Sequence, residues 1–382
     1  MYKLLLKQPF LARDNNEKGR VATALELFYD LIFVVAIAKL ATSFHHAISN
    51  NDISHGTISY LTMFLMIWWA WTGYTWFASA YGNNSNVFKI ATLWQMVGAL
   101  IIASGVKKGF HGDYTLILIG YIVIRISAIY LWIQAAKSNP LLRMNAYRYA
   151  LGIFLCQIAW IVWWYASLNP LGIIFLWICE FFVPYYAESS RQLSPYHPKH
   201  IEERYGLLAI IVLGETILAS INGISALSEH FSIDLLLVNI GTVLTIFGAW
   251  WIYFMVEIND KLYEKNSTFL WGYSHYFVFA SLAAMGALVG VNIDVLTHHA
   301  SISLEMSHIL FATTMSIYFL SLWVSKGILT DISGFSRYLL LYASIIVYIL
   351  GYLPHTIFTV GILMTIYIVF RVYVPNKASN RE

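Results

Sequence analysis

The chain is predicted to be an all-α polytopic integral membrane protein, with about twelve transmembrane helices arranged as two parallel six-helix repeats. Three observations predict this. Hydrophobic residues make up 59% of the 382 positions and charged residues only 11%, against about 25% charged in an average soluble domain. Apolar runs of about 17–25 residues, the length that crosses a bilayer, recur along the whole chain. Lysine and arginine are sorted onto alternate connections between those runs.

The first six expected spans cover residues 23–44, 57–80, 87–106, 114–136, 147–168 and 170–187. The second six cover 203–221, 234–257, 268–291, 305–324, 337–353 and 355–373. Asn139-Pro140, Asn169-Pro170 and Leu353-Pro354 fall where a helix should stop or start, because the residue before a proline is pushed out of the helical region. The remaining segments are an N-terminal arm (1–22), a linker (188–202) holding Pro195 and Pro198, and a tail (374–382). The first apolar run begins only after Val21, without a small-x-small cleavage pattern, so it reads as a first span that also directs insertion.

Basic residues mark the cytoplasmic side of a membrane protein. With the N-terminus inside, every lysine and arginine falls on an inner segment except Lys107 and Lys108 outside and Lys39 and Arg125 within spans. This alternation predicts a multi-pass protein of the bacterial cytoplasmic membrane with both termini cytoplasmic. The formal charge of +3 is too small to point to nucleic acid.

The two halves also resemble each other. Glu26-Leu-Phe-Tyr-Asp-Leu-Ile-Phe-Val-Val-Ala-Ile overlays Glu203-Arg-Tyr-Gly-Leu-Leu-Ala-Ile-Ile-Val-Leu-Gly at an offset of 177. Trp68-Trp69 meets Trp250-Trp251, and Tyr147-Arg148-Tyr149 meets Ser336-Arg337-Tyr338. An even number of spans per half requires parallel repeats, 23–187 and 203–373. Transporters place their sites near the midplane between such repeats.

Ionisable residues within spans are the candidate functional groups, since each costs roughly 2.5–3.5 kcal/mol to insert at mid-depth. At 100° per residue, His200, Arg204 and Glu215 share one stripe of a helix that leads into the seventh span. Glu26 and Asp30 share a face one turn apart in the first span. Their alternatives are a role at the helix N-terminus and a shared proton or cation. Lys39 lies about 180° round from Asp30, so it either snorkels outwards or pairs with an acid such as Glu215. Arg125 and Glu180 lie at similar depth, and His275 sits about two turns inside an apolar segment. The expected arrangement pairs Glu215 with Lys39 or Arg125 and forms an inner gate from Glu26, Asp30 and Arg204. The adjacent histidine pairs His45-His46 and His298-His299 read as solvated, with no metal-site spacing beside them. Cys156 and Cys179 offer no disulfide or metal framework, and no hydrolase or nucleotide motif is present. The tryptophans of the spans, Trp69 and Trp71 among them, read as belts and packing.

Several of these residues carry a resemblance. Glu26-Leu-Phe-Tyr-Asp-Leu-Ile-Phe-Val resembles the opening signature of the bacterial low temperature requirement protein A family. His200-Ile-Glu-Glu-Arg-Tyr-Gly-Leu and Ile211-Val-Leu-Gly-Glu215 resemble its second signature, and Trp250-Trp-Ile-Tyr-Phe254 and His275 fit its later positions. The resemblance implies an aspartate where this chain has Met255, with Glu257 or Asp260 as the acids close by. It implies a need for the protein during growth in the cold and supplies no substrate.

The expectation drawn from all of this is a non-enzymatic secondary transporter of a small solute, with proton coupling as one option and a site between the repeats. The alternatives are an intramembrane haem-, quinone- or lipid-binding protein and a non-transporting membrane-adaptation or sensing component. The expected partners are the bilayer and a small solute or proton, with a homo-oligomer left open. No cofactor is specified.

Overall fold

The computed structural model describes residues 8–166, 171–190, 192–229, 231–255, 265–327 and 337–373, and the side chains of Leu171, Glu215, Lys265 and Asn266 lie outside the description. Among the described residues there are α-helices and no strands. They are α1 (Ala24–Ser49), α2 (Ile53–Tyr81), α3 (Asn86–Gly109), α4 (Thr115–Ser138), α5 (Arg143–Tyr165) and α6 (Leu171–Ala187). There follow α7 (Pro198–Glu229), α8 (Ile233–Phe254), α9 (Lys265–Leu296), α10 (Leu304–Leu322) with a π-helical extension over Trp323–Gly327, α11 (Leu339–Leu350) and α12 (Thr356–Tyr373). One helix thus lies at each expected span. Among the described residues, eight helices are by length and composition long and apolar enough to cross a membrane, and Gly172–Ala187 and Leu339–Leu350 are shorter apolar helices.

The main difference from the expected boundaries is α7. It runs 32 residues from Pro198, not 19 from Glu203, because Pro198 suits the first turn of a helix, where no backbone N–H is needed. His200 and Arg204 are therefore helical residues on consecutive turns, and the connection before them is shorter than expected.

The chain divides into two compact units, one of residues 1–36 and 66–205 and the other of residues 37–65 and 206–382. In the first, α3 packs on α4, α4 on α5 and α5 on α6. Gly98 and Gly120 let α3 and α4 touch backbone to backbone: a Cβ on Gly120 would lie 2.6 Å from the Gly98 carbonyl oxygen. Small residues of this kind bring helices together where lipid removes the hydrophobic drive. Tyr29 stacks on Tyr74 at 3.8 Å, and Trp132 stacks on Tyr149 at 4.0 Å. The N-terminal arm is docked on this unit. The Phe10 amide donates to Ser138 Oγ, the Ala12 amide to Asn139 Oδ1, and the Arg13 amide to the Ala80 carbonyl.

In the second unit α8 packs on α12, and α10 packs on α9 and α11. Of the most apolar stretch of α9, 83% is buried, so α9 is the innermost element of this unit. Ser232 and Ser303 cap α8 and α10 by accepting from the Leu235 and Met306 amides. Asn51, His298 and His355 take left-handed backbone conformations at helix junctions. In both units large apolar side chains, among them Ile90, Trp94, Ile126, Phe247 and Ile366, stand exposed. Such a surface is suited to lipid.

Candidate functional site

The most concentrated chemistry of the first unit lies where α1 and α7 begin. Thr23 and Glu26 form a capping box. The Thr23 amide donates to Glu26 Oε2 at 2.8 Å, and the Glu26 amide donates back to Thr23 Oγ1 at 3.3 Å. This locks Glu26 with its other oxygen turned inwards. Arg20 Nη2 donates to Glu26 Oε1 at 3.3 Å, Arg204 Nη1 lies 3.3 Å from the same oxygen and His200 Nε2 3.2 Å from it.

One turn on, Asp30 is wholly buried. Arg204 Nε donates to Asp30 Oδ2 at 3.0 Å, and Arg204 Nη2 to Oδ1 at 2.5 Å. This two-pronged pairing is the strong form of a charged hydrogen bond. Trp71 Nε1 adds a bond to Oδ1 at 2.7 Å. Two carboxylates thus face two guanidiniums and one buried imidazole, so the charges balance among buried side chains. Around this network, the Ala22 amide donates to Glu203 Oε2. His197 Nε2 is 3.0 Å from the Glu17 carbonyl oxygen. In the arm, the hydrogen bond from Arg13 holds the Glu17 carboxyl below its ordinary range, and burial works against the Arg20 charge while Glu26 supports it.

A second buried pair lies in the same unit. Arg125 Nη2 donates to Glu180 Oε2 at 2.8 Å. Trp69 Nε1 donates to that oxygen at 2.9 Å, and Trp160 Nε1 to Glu180 Oε1 at 3.3 Å. The Arg125 guanidinium also stands 5.3 Å from the Tyr121 ring centre.

The structure therefore brings together Glu26, Asp30 and Arg204, the residues grouped in the expected inner gate, adds His200 to them, and joins Arg125 to Glu180. Arg125 has its carboxylate in Glu180; the expected pairing of Glu215 with Lys39 or Arg125 falls on a side chain outside the described residues. Lys39 is exposed, because its place on α1 is on the face opposite Asp30. Glu215 belongs to α7, but its side chain lies outside the described residues, as do Glu257 and Asp260. His275 is in the second unit, fully buried, with Nδ1 2.7 Å from the Trp271 carbonyl oxygen and its ring 5.9 Å from Tyr253. His45 is not simply solvated. Its Nε2 lies 2.8 Å from Asp294 Oδ2, an oxygen that also accepts from Ser49 Oγ.

Sequence reasoning missed Arg20, Thr23 and the three tryptophan donors. The Thr-x-x-Glu spacing was a readable sign of the capping box. Indole N–H groups inside apolar segments also need acceptors, which pointed from Trp69, Trp71 and Trp160 to buried carboxylates. Among the described residues no group of three His, Cys, Asp or Glu side chains could hold a metal ion, and Cys156 and Cys179 are free thiols.

Membrane-length apolar helices, an apolar exterior and buried ion pairs define the class: a polytopic helical membrane protein with charged networks inside it. Residues 21–372 match the family of the bacterial low temperature requirement A protein (LtrA), and the chain belongs to that family. It is similar to a protein of Rhizobium meliloti (strain 1021) described as uncharacterized, with 25% identity over 258 residues, 64% of this chain and 61% of that one. The chain thus spans less than two thirds of that relative's length. No solved structure matches.

Proposed function

We propose that this protein is a secondary transporter of a small solute in the bacterial cytoplasmic membrane, with proton exchange carried by the network at the start of α1 and α7. The carrying observation is that Glu26, Asp30, His200 and Arg204 form one buried cluster, whose charges balance with Arg20. Intramembrane ionisable groups are costly and are retained where they do work. Arg204 is shared between Asp30 and Glu26. A proton taken up by His200 strengthens its contact with Glu26 Oε1, the oxygen that Arg204 Nη1 also faces, and so favours an arrangement in which Arg204 is left to Asp30. Two such arrangements, differing in one proton, are what a coupled conformational change requires.

The proposed architecture is twelve spans with both termini cytoplasmic, built as parallel repeats over 23–187 and 203–373 with the solute site between them. Support comes from the overlaid segments starting at Glu26 and Glu203, whose neighbours Asp30 and Arg204 meet, as the equivalent ends of two first spans related by parallel duplication would do. A role in growth at low temperature and a homo-oligomeric state belong to the same proposal.

The test is solute-dependent proton movement in proteoliposomes with an entrapped pH dye, screened over amino acids, amines, sugars and organic acids. Solute-driven acidification by the wild type, abolished in Glu26→Gln and His200→Asn, is expected. Folded wild-type protein that moves no proton and exchanges no solute would overturn the proposal.

A further inference from the structure

We propose that the second unit holds a binding site for a small organic ammonium ion, in the cavity at the end of the unit where α8 and α10 begin. This site is separate from the α1–α7 network and does not rest on the transport reading.

The cavity measures about 220 Å³ and is lined by, among others, Asp234, Leu296, Glu305, His308, Tyr352 and His355. Drug-sized ligands occupy roughly 300–1,000 Å³, so the occupant is small. Asp234 and Glu305 lie in the first turns of α8 and α10, where carboxylates also meet the helix dipole. That role does not account for His308. Its side chain is more than nine-tenths buried, at 7% exposure, and lines the cavity with no hydrogen-bond partner among the described residues. Its ring nitrogens are therefore available to a group that enters the cavity.

The chemistry of the lining selects the ligand. No lysine or arginine lines the cavity. His355 Nδ1 lies 3.5 Å from Asp234 Oδ1, while Glu305 has no basic partner among the described residues. The cavity therefore offers an anionic rim, an imidazole nitrogen of His308 open to the cavity, and a wall containing Leu296 and Tyr352. An ammonium group supplies N–H donors and positive charge to the acids and the imidazole, and a short apolar body covers the wall. A carboxylate of the same shape meets the repulsion of the Asp234 and Glu305 carboxylates, and an alcohol lacks the charge.

The experiment measures binding of 3-methylbutylammonium, 3-methylbutan-1-ol and 3-methylbutanoate to the purified full-length protein near neutral pH, by calorimetry or saturation-transfer NMR. Saturable binding of the ammonium is expected, about tenfold or more tighter than the alcohol, with no binding of the carboxylate. Asp234→Asn with Glu305→Gln should weaken the ammonium by about tenfold or more, and His308→Phe should remove binding by filling the cavity. Should the double variant not fold, Glu305→Gln alone, at an exposed position, gives the same reading. Equal affinity for ammonium and alcohol, no saturable binding, or binding unchanged by loss of the rim carboxylates overturns the proposal.

Discussion

Replacing Arg204 by methionine while leaving Asp30 in place creates a buried carboxylate whose remaining donor is the Trp71 indole. Both partners are fully buried, and Arg204 gives Asp30 two hydrogen bonds. Removing one member of such a pair costs about 3–5 kcal/mol, mostly the desolvation of the charge left behind. Asp30→Asn should fall near the lower end of about 3 kcal/mol, because Arg204 still faces Glu26 at 3.3 Å. The double variant removes both charges and should cost no more than the worse single change, about 4–5 kcal/mol. The coupling between the two positions is then at least about 3 kcal/mol. Equilibrium unfolding of the purified protein in mixed micelles, read by tryptophan fluorescence, measures all four corners of this cycle. Additive effects to within about 0.5 kcal/mol would refute the pairing as an energetic unit.

The second pair should behave alike: Arg125→Met and Glu180→Gln each cost about 3–5 kcal/mol and together cost less than their sum, by the same unfolding assay. Trp69→Phe, which takes one indole donor from Glu180, should cost about 1–3 kcal/mol. Gly120→Ala should be destabilising by about 1–3 kcal/mol because its Cβ meets the Gly98 carbonyl oxygen, whereas Gly73→Ala, with nothing within 4 Å, should be neutral or slightly stabilising; thermal unfolding of the two variants compares them directly. Topology reporters placed after Asn50 and after Leu227 should report outside and one after Ser194 inside; a cytoplasmic signal after Asn50 would reverse the proposed orientation.

Much of the candidate site was legible because helical periodicity is a local property. Glu26 and Asp30 are one turn apart, as are His200 and Arg204, so each pair's common face could be read from spacing alone. Lys39 was separable from Asp30 by the same rule, and it is exposed. The choice of partner was not legible. Arg125 had several acids within its expected depth, and only the packing of α4, α5 and α6 places Glu180 beside it. Arg20 escaped notice because it lies in the arm, where a basic residue reads as a topology signal; the docking of that arm turns it onto Glu26. The tryptophans read as belts, since their indole N–H groups acquire meaning only once an acceptor is in place.

By itself the sequence determined that this is a helical membrane protein, where its helices run, and which polar residues share a helix face. These follow from hydropathy, from the cost of unsatisfied backbone in lipid and from the 3.6-residue turn, all set by residues close in the chain. Only the tertiary structure decided that Asp30 meets Arg204 across 174 positions, that Arg125 meets Glu180, and that Asp234, Glu305 and His308 border one cavity. Hydropathy treats every apolar helix face alike, so it cannot rank partners. Helix packing can, because a buried charge holds its place only where an opposite charge and matching donors arrive from another part of the chain.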